Sequence, residues 1–193
     1  FDLATIGEID LVESLGIKGS HCLHSHPIKK DKEIKRALEF GCNRMVVDNI
    51  EEMKKFIPYA GQVELIIRVG FRSKQAVVDL SRKFGCALEE LPILLSLAKD
   101  YGIDVVGLSF HVGSQSLSSM TQANAIRSSI AAMKLMSGVN WKFLDIGGSF
   151  PISYQEEVLS ISDFCAPIME ALSELPEDIE VFAEPGRFIS APS

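Results

Sequence analysis

Glu184-Pro185-Gly186-Arg187, near the carboxyl end, sets an acid and a base on either side of a turn. Val181, Phe182 and Ala183 read as a short buried strand, which Pro185-Gly186 ends. Glu184 then sits at the strand's carboxyl tip, with Arg187 one turn beyond. A carboxylate there can pair with a protonated heterocyclic nitrogen, and an arginine three residues on can grip a phosphate with its planar fork. Those are the two ends of pyridoxal 5'-phosphate, whose ring nitrogen needs an acidic partner to act as an electron sink. A surface ion pair beside a turn explains the same four residues, so other strand ends must decide.

Several do carry chemistry. His111, in Ser109-Phe110-His111-Val112-Gly113-Ser114, ends a strand, where an imidazole can lie flat on an aromatic cofactor and Ser114 can add a hydrogen bond to phosphate. A hydrogen-bonded core histidine is the plainer alternative. In Asp145-Ile146-Gly147-Gly148-Ser149, the glycine pair lets backbone N–H groups approach an anion, although any tight turn needing positive φ also favours glycine. Asp2 and Arg68 end strands too, and a buried Arg68 would need an acid such as Asp2, Asp145 or Glu184. His21, His24 and His26 alternate along one stretch, which puts them on one side of a strand. No acid or cysteine completes a metal-ligand spacing there, so no metal is expected.

The elements that must position these residues alternate, strand then helix. Strands are expected near Phe1–Ala4, Cys22–Ser25, Arg44–Val47, Glu64–Val69, Val105–Phe110, Lys142–Ile146 and Glu180–Glu184. The first helix, Ile6 to Leu15, should bury Ile9, Leu11, Val12 and Leu15. Asp31 should cap a helix through Phe40, and Asp48-Asn49 one over Ile50–Ile57. Further helices are expected over Leu88–Asp100, Met120–Met136 and Ile161–Leu175. Gly70 to Gly85 reads as a loop carrying Ser73–Leu80 and Ser81–Gly85. Asp2, His24, Val46 and Arg68 recur 22 residues apart, the length of one strand, one helix and two short loops.

Such alternation predicts a parallel α/β fold, either an open doubly wound sheet or a (β/α)8 barrel. Side-chain alternation favours the barrel. Val106, Leu108 and Phe110 should face the helices, with Val105, Gly107, Ser109 and His111 facing inward; Leu144 and Ile146 likewise oppose Phe143 and Asp145. Seven strands are visible where a barrel has eight. With the first taken as the one outside the chain, Gly147-Gly148 follows strand seven and Arg187 follows strand eight, where barrels commonly bind phosphate.

The chain has 193 residues, 47% of them hydrophobic, and carries a net charge of -7. That suits one well-buried domain and argues against a nucleic-acid partner. Apolar runs are too short to span a bilayer, and no membrane association is expected. Cys22, Cys42, Cys86 and Cys165 are widely spaced and read as reduced thiols of a cytoplasmic protein. Both ends look cut from a longer polypeptide.

Together these residues resemble the fold-type III pyridoxal-phosphate decarboxylases of ornithine, lysine, diaminopimelate and arginine. The resemblance rests on Phe1–Glu8, His26–Lys29, Val47–Asn49, Leu80–Gly85, Gly107–Gln115, Leu144–Pro151 and Ala183–Arg187, in that order, with the ornithine/lysine branch nearest. It implies strands two to eight of an alanine-racemase-like TIM barrel over residues 1–193, without the family's first strand and carboxyl-terminal β-domain. It also implies roles. His111 would stack on the pyridine ring and Glu184 would pair with its nitrogen. Ser114, Gly147, Gly148, Ser149, Gly186 and Arg187 would hold the phosphate. Asp2 and Arg68 would line the pocket beside the lysine that carries the cofactor. The family's small-molecule substrate is a basic amino acid, its product here a diamine of polyamine biosynthesis, and its usual assembly a homodimer. Two departures stand out. Ser149 replaces a third glycine, which should weaken or alter the phosphate contact rather than abolish it. The cofactor lysine belongs to the strand outside this chain, and Lys29 and Lys30, as solvated loop lysines, match it poorly. The segment alone should then be catalytically silent. Some relatives, resembling antizyme inhibitor, keep the fold but act by binding a protein.

Overall fold

The computed structural model describes residues 1–71, 76–78 (backbone only), 83–154 and 157–191. Its strands are β1 (Asp2–Leu3), β2 (Leu23–His24), β3 (Arg44–Val47), β4 (Glu64–Val69), β5 (Ala76–Val78), β6 (Asp104–Phe110), β7 (Ser114–Ser116), β8 (Phe143–Asp145) and β9 (Glu180–Phe182). Its helices are α1 (Ile6–Ser14), α2 (Asp31–Phe40), α3 (Ile50–Lys54), α4 (Leu91–Asp100), α5 (Ser119–Leu135), α6 (Ile161–Leu172) and α7 (Gly186–Ser190). Seven strands form one parallel sheet in the order β1-β2-β3-β4-β6-β8-β9, the order of a barrel wound once without a switch point. β5 and β7 form a small antiparallel pair that the alternating pattern did not foretell. Most of Ser73–Leu80, with Ser81 and Arg82, lies outside the described residues.

The strand registers explain the 22-residue spacing. Asp2 pairs with Leu23 rather than His24, and His24 with Met45 rather than Val46. Each strand is thus displaced along its neighbour by about one residue, the stagger that tilted barrel strands require. The offset also reverses a face. Leu23 and Val46 belong to an inner cluster with Ile66, Val106 and Phe143, whereas Leu3 and Met45 belong to the core beneath the helices. His24 therefore points toward the helices and Ser25 toward the barrel interior.

Strand β6 corrects the expected alternation. Leu65 pairs with Val105 but Ile66 with Gly107, a register shift that skips Val106. This β-bulge turns Val105 outward and Val106 inward, while Leu108 and Phe110 keep the helix-facing side. Gly107 occupies the tightest point, where an added Cβ would lie 2.7 Å from the Phe143 carbonyl oxygen.

The interior is layered. At the bottom, the Arg44 guanidinium lies over the Phe143 ring and pairs with Glu64, which Lys142 also reaches at 2.6 Å. Above lies the inner apolar cluster, and above that Arg68, Ser109 and Asp145 stand in register at the mouth.

Several helix expectations are revised. In α1 only Ile9 and Val12 are buried, while Leu11 and Leu15 are 60% and 68% exposed. Ile9 and Leu11 stand about 200° apart on a helix, so they cannot share a face. Asp31 is the first residue of α2 rather than its cap; Glu33 instead accepts the Lys30 N–H at 2.8 Å. Asn49 alone caps α3, and the Asp48 carboxylate accepts the Gly85 N–H at 2.8 Å. Strand β9 is not buried, since Val181 is 38% exposed. Pairing with β8 alone, β9 is an edge of the sheet.

Lys29 is the largest surprise of the loops, being 1% exposed instead of solvated. Its ammonium donates to the carbonyls of His26, at 2.9 Å, and Val46, and faces the Glu52 carboxylate at 3.6 Å. Glu52 also accepts the Lys29 N–H and pairs with Lys55. Burial pushes the Lys29 pKa down to about 8, although Glu52 opposes the shift. Replacing Glu52 by Gln should cost about 3 kcal/mol, because it strands a buried cation, read as a lower urea midpoint at unchanged slope. Above pH 8 the folded protein holds fewer protons at Lys29 than the unfolded chain, whose lysine titrates near 10.5. Stability then rises with pH, so part of the E52Q loss should be recovered between pH 7 and pH 10.

Candidate functional site

The carboxyl ends of the strands converge on a cleft of about 260 Å³, lined by Asp2, His111, Ser114, Gly148, Ser149, Glu184, Gly186 and Arg187, with Gln115, Phe150 and Pro185. Of the residues singled out from sequence, Gly147 and Arg68 are not part of this lining. Gly147 closes the turn after β8 at φ 65°, and an added Cβ would strike the Phe110 carbonyl oxygen at 2.3 Å. Gly148 is wedged between the Glu184 carbonyl oxygen and His111, where a Cβ would stand 2.7 and 3.3 Å from Glu184 O and His111 Nε2. Glu184 N–H donates to Gly147 O at 2.9 Å, so β8's turn fixes the acid on the next strand.

Electrostatics divide the cleft in two. Burial first, then Asp145 and Asp2, push the Glu184 pKa up to about 9. Asp145 rises to about 7, also chiefly through burial, and Asp2 is raised by the same cause. The Glu184 and Asp145 carboxyl groups influence one another directly, and Asp145 Oδ1 takes the Gly147 N–H at 2.9 Å. Both carboxyl groups are thus held above their ordinary range, Glu184 further than Asp145, so a shared proton favours Glu184. Ser25 donates to Asp2 Oδ1. Arg68 faces Glu184, Asp48, Asp145 and Asp2 and lies over the Phe84 ring. Burial lowers its pKa, but a guanidinium stays charged.

His111 is neutral, its pKa driven to about 4 by burial and then by Arg68. Its Nδ1 accepts the Gly113 N–H at 3.0 Å, which leaves the proton on Nε2 toward Gly148. At the other end of the cleft, Arg187 rests against exposed Tyr154, its Nη1 donating to the hydroxyl at 3.2 Å. Among the described residues no acceptor meets the N–H of Gly148 or Ser149. A Cβ on Gly186 would meet nothing within 4 Å, so packing within the protein does not demand glycine there.

The structure adds residues that sequence reasoning passed over. Ser25 reaches the mouth only because the strands are staggered, a displacement that the 22-residue spacing encodes. Asp145, expected only as a partner for Arg68, also interacts with Glu184. Gln122 of α5, fully buried, props the glycine turn by donating to Ile146 O at 3.0 Å and Gly148 O at 3.3 Å. Nothing in its local sequence marks it. The alternating histidines do not converge, for His24 is buried while His21 and His26 are exposed. Among the described residues no His, Cys, Asp and Glu side chains gather closely enough to hold a metal, and no helix is long and apolar enough to cross a membrane.

Residues 1–191 match the family model of the pyridoxal-dependent decarboxylases, pyridoxal-binding domain, and the chain belongs to that family. The lysine/ornithine decarboxylase of Vibrio vulnificus, solved with cadaverine, superposes at a TM-score of 0.92 with 46% identity, over 100% of this chain and 50% of that one. A lysine/ornithine decarboxylase of Selenomonas ruminantium is 33% identical over 98% of the chain and 49% of its own length. Antizyme inhibitor 2 of Xenopus laevis is 31% identical over 99% of the chain and 43% of its own. The chain thus spans about half the length of the relatives it matches.

The proton on Glu184 gives a pH test of the ligand-free protein. Between the unfolded value of 4.5 and the folded value of about 9, the folded state binds more protons, so stability falls as pH rises. Glu184→Gln should flatten that fall in thermal melts between pH 5 and pH 9. An unchanged slope would mean that Glu184 is ionised in the fold.

Proposed function

We propose that this chain is the cofactor-binding barrel of a pyridoxal-phosphate-dependent decarboxylase that converts lysine or ornithine to the corresponding diamine. The observation that carries the reading is the presence of opposite chemistries in the wall of one cleft. Among the described residues nothing partners the buried Glu184 Oε1, and no acceptor meets the N–H groups of Gly148 and Ser149, which line the cleft with Ser114 and Arg187. The neutral imidazole of His111 lines the same cleft, next to Gly148. Those residues fit an aromatic, nitrogen-containing phosphate ester. A simple phosphate-binding barrel would need the amides and Arg187 but has no use for a buried acid dyad.

The residues then take these parts. Glu184 and Asp145 hold a proton and a negative charge against the ring nitrogen, and Arg68 keeps the surplus acid charge tolerable in a site screened from water. His111, uncharged, presents a ring face without adding a competing cation. Ser114, the Gly147-Gly148-Ser149 turn, Gly186 and Arg187 hold the phosphate by amides and a planar fork. Asp2, oriented by Ser25, is placed to steer a substrate amine. The bound cofactor supplies the sink for the electron pair left when carbon dioxide departs.

The lysine that carries the cofactor would come from a strand outside residues 1–193. A gap of about 470 Å³ between β1 and β9, lined by Phe1, Leu23, Phe182 and Glu184 among others, offers such a strand apolar walls and two unpaired edges. A carboxyl-terminal β-domain, a homodimeric assembly and a cytoplasmic setting belong to the same reading.

The full-length protein should be incubated with pyridoxal phosphate, reduced with borohydride and mapped by mass spectrometry. One modified lysine, outside residues 1–193, is expected, together with carbon dioxide release from lysine or ornithine. Absence of specific labelling would remove the enzymatic reading and favour action by protein binding, as in an antizyme inhibitor. In the active protein, Glu184→Ala should lower kcat at least about 100-fold, the scale on which loss of one preorganised electrostatic partner is felt, while the lysine still labels.

A further inference from the structure

Ser149 carries two unfavourable features that the described protein does not offset. Its φ of 81° lies in the left-handed region, which disfavours any residue with a Cβ. The residue is 7% exposed, and its hydroxyl is buried with no hydrogen-bond partner. A buried hydroxyl left unmatched is destabilising in its own right. The backbone cannot readily turn away, because Ser149 O accepts the Ser116 N–H of β7 at 3.3 Å and Gly148 is wedged on the other side. Glycine would avoid both features.

The position of the side chain suggests what compensates. Ser149 walls the cleft together with Ser114, Gly148, Gly186 and Arg187. Rotation about Cα–Cβ moves its Oγ among staggered positions at little expense. Among the described residues no acceptor claims its own N–H or that of Gly148 beside it. We propose that the Ser149 hydroxyl is a phosphate ligand, donating a hydrogen bond to a phosphate oxygen of the cofactor and so adding a side-chain contact to a cradle otherwise built from amides, Ser114 and Arg187. The proposal rests on the pyridoxal-phosphate reading and deepens it. The strained, unmatched serine of the ligand-free protein is then the form that binding satisfies.

The test uses the full-length protein as wild type, S149G and S149A, with melting temperature read without ligand and affinity read by titration with pyridoxal 5'-phosphate and with pyridoxal. Ligand-free S149G should melt higher than wild type, yet bind pyridoxal phosphate about tenfold more weakly, as befits loss of one charge-assisted hydrogen bond. S149A, which keeps the strained backbone but lacks the hydroxyl, should lose the same affinity. Pyridoxal, which has no phosphate, should bind all three alike. Wild-type affinity for pyridoxal phosphate in S149G or in S149A would overturn the proposal, as would an equal loss for pyridoxal. Arg187→Ala distinguishes the underlying reading. Should R187A bind pyridoxal phosphate as wild type does, and wild type fail to prefer it over pyridoxal, the cofactor assignment falls and this proposal with it.

Discussion

One guanidinium set among several carboxyl groups governs this structure. Arg68 faces Glu184, Asp48, Asp145 and Asp2 where little water reaches. Burial first, and then repulsion from neighbouring acids, raise the pKa values of Glu184, Asp145 and Asp2. Arg68 limits how far that rise goes without ending it, since one positive charge cannot balance so many acids. The mouth is therefore prepared for positive charge, while the amides of Gly148 and Ser149 and the side chain of Arg187, across the cleft, are prepared for negative charge. A ligand with a basic ring at one end and a phosphate at the other completes both halves at once.

Bringing Arg68 inward fixes much of the fold. Arg68 stands in register with Ser109 and Ser109 with Asp145, so β4, β6 and β8 must meet at a shared height. The bulge at Val106 achieves this. Without it, Ser109 and His111 would stand on the helix side and Leu108 would face the acids. Gly107 is needed at the same point because Phe143 crosses so closely. The bulge is the adjustment that lets an apolar middle layer and a polar upper layer share one strand.

Much of this was legible in the chain. Strand order, the inward setting of Asp145 and Arg68, and the meeting of His111, Ser114, Glu184 and Arg187 all followed from periodicity and strand ends, read together with a family resemblance. What escaped depends on pairing between distant segments. Lys29 looked like a loop lysine because Glu52, 23 residues away, gives no local sign of partnership. The bulge was invisible because Val105 and Val106 are the same residue type, and nothing in the sequence says which is skipped. Val181 read as buried on its composition, yet exposure on an edge strand depends on what lies beside it. Leu11 and Leu15 were misassigned for a different reason. Helical geometry alone separates Leu11 from Ile9, so that error lay in the reading rather than in the information.

The two ends of the barrel interior show what the mouth is for. At the bottom, Arg44, Glu64 and Lys142 satisfy one another, with Arg44 packed on Phe143. That end asks for nothing more. At the mouth, Ser109 Oγ, Ser149 Oγ and Glu184 Oε1 are buried and unpartnered, and Ser149 holds a backbone conformation that a glycine would adopt more easily. Unmatched polar groups beside a cleft are what remains when a ligand's share of the hydrogen bonds is missing. Binding that supplies them stabilises the folded state by mass action, so the polarity of the barrel, quiet at the bottom and unfinished at the mouth, itself argues that the fold is completed by what it binds.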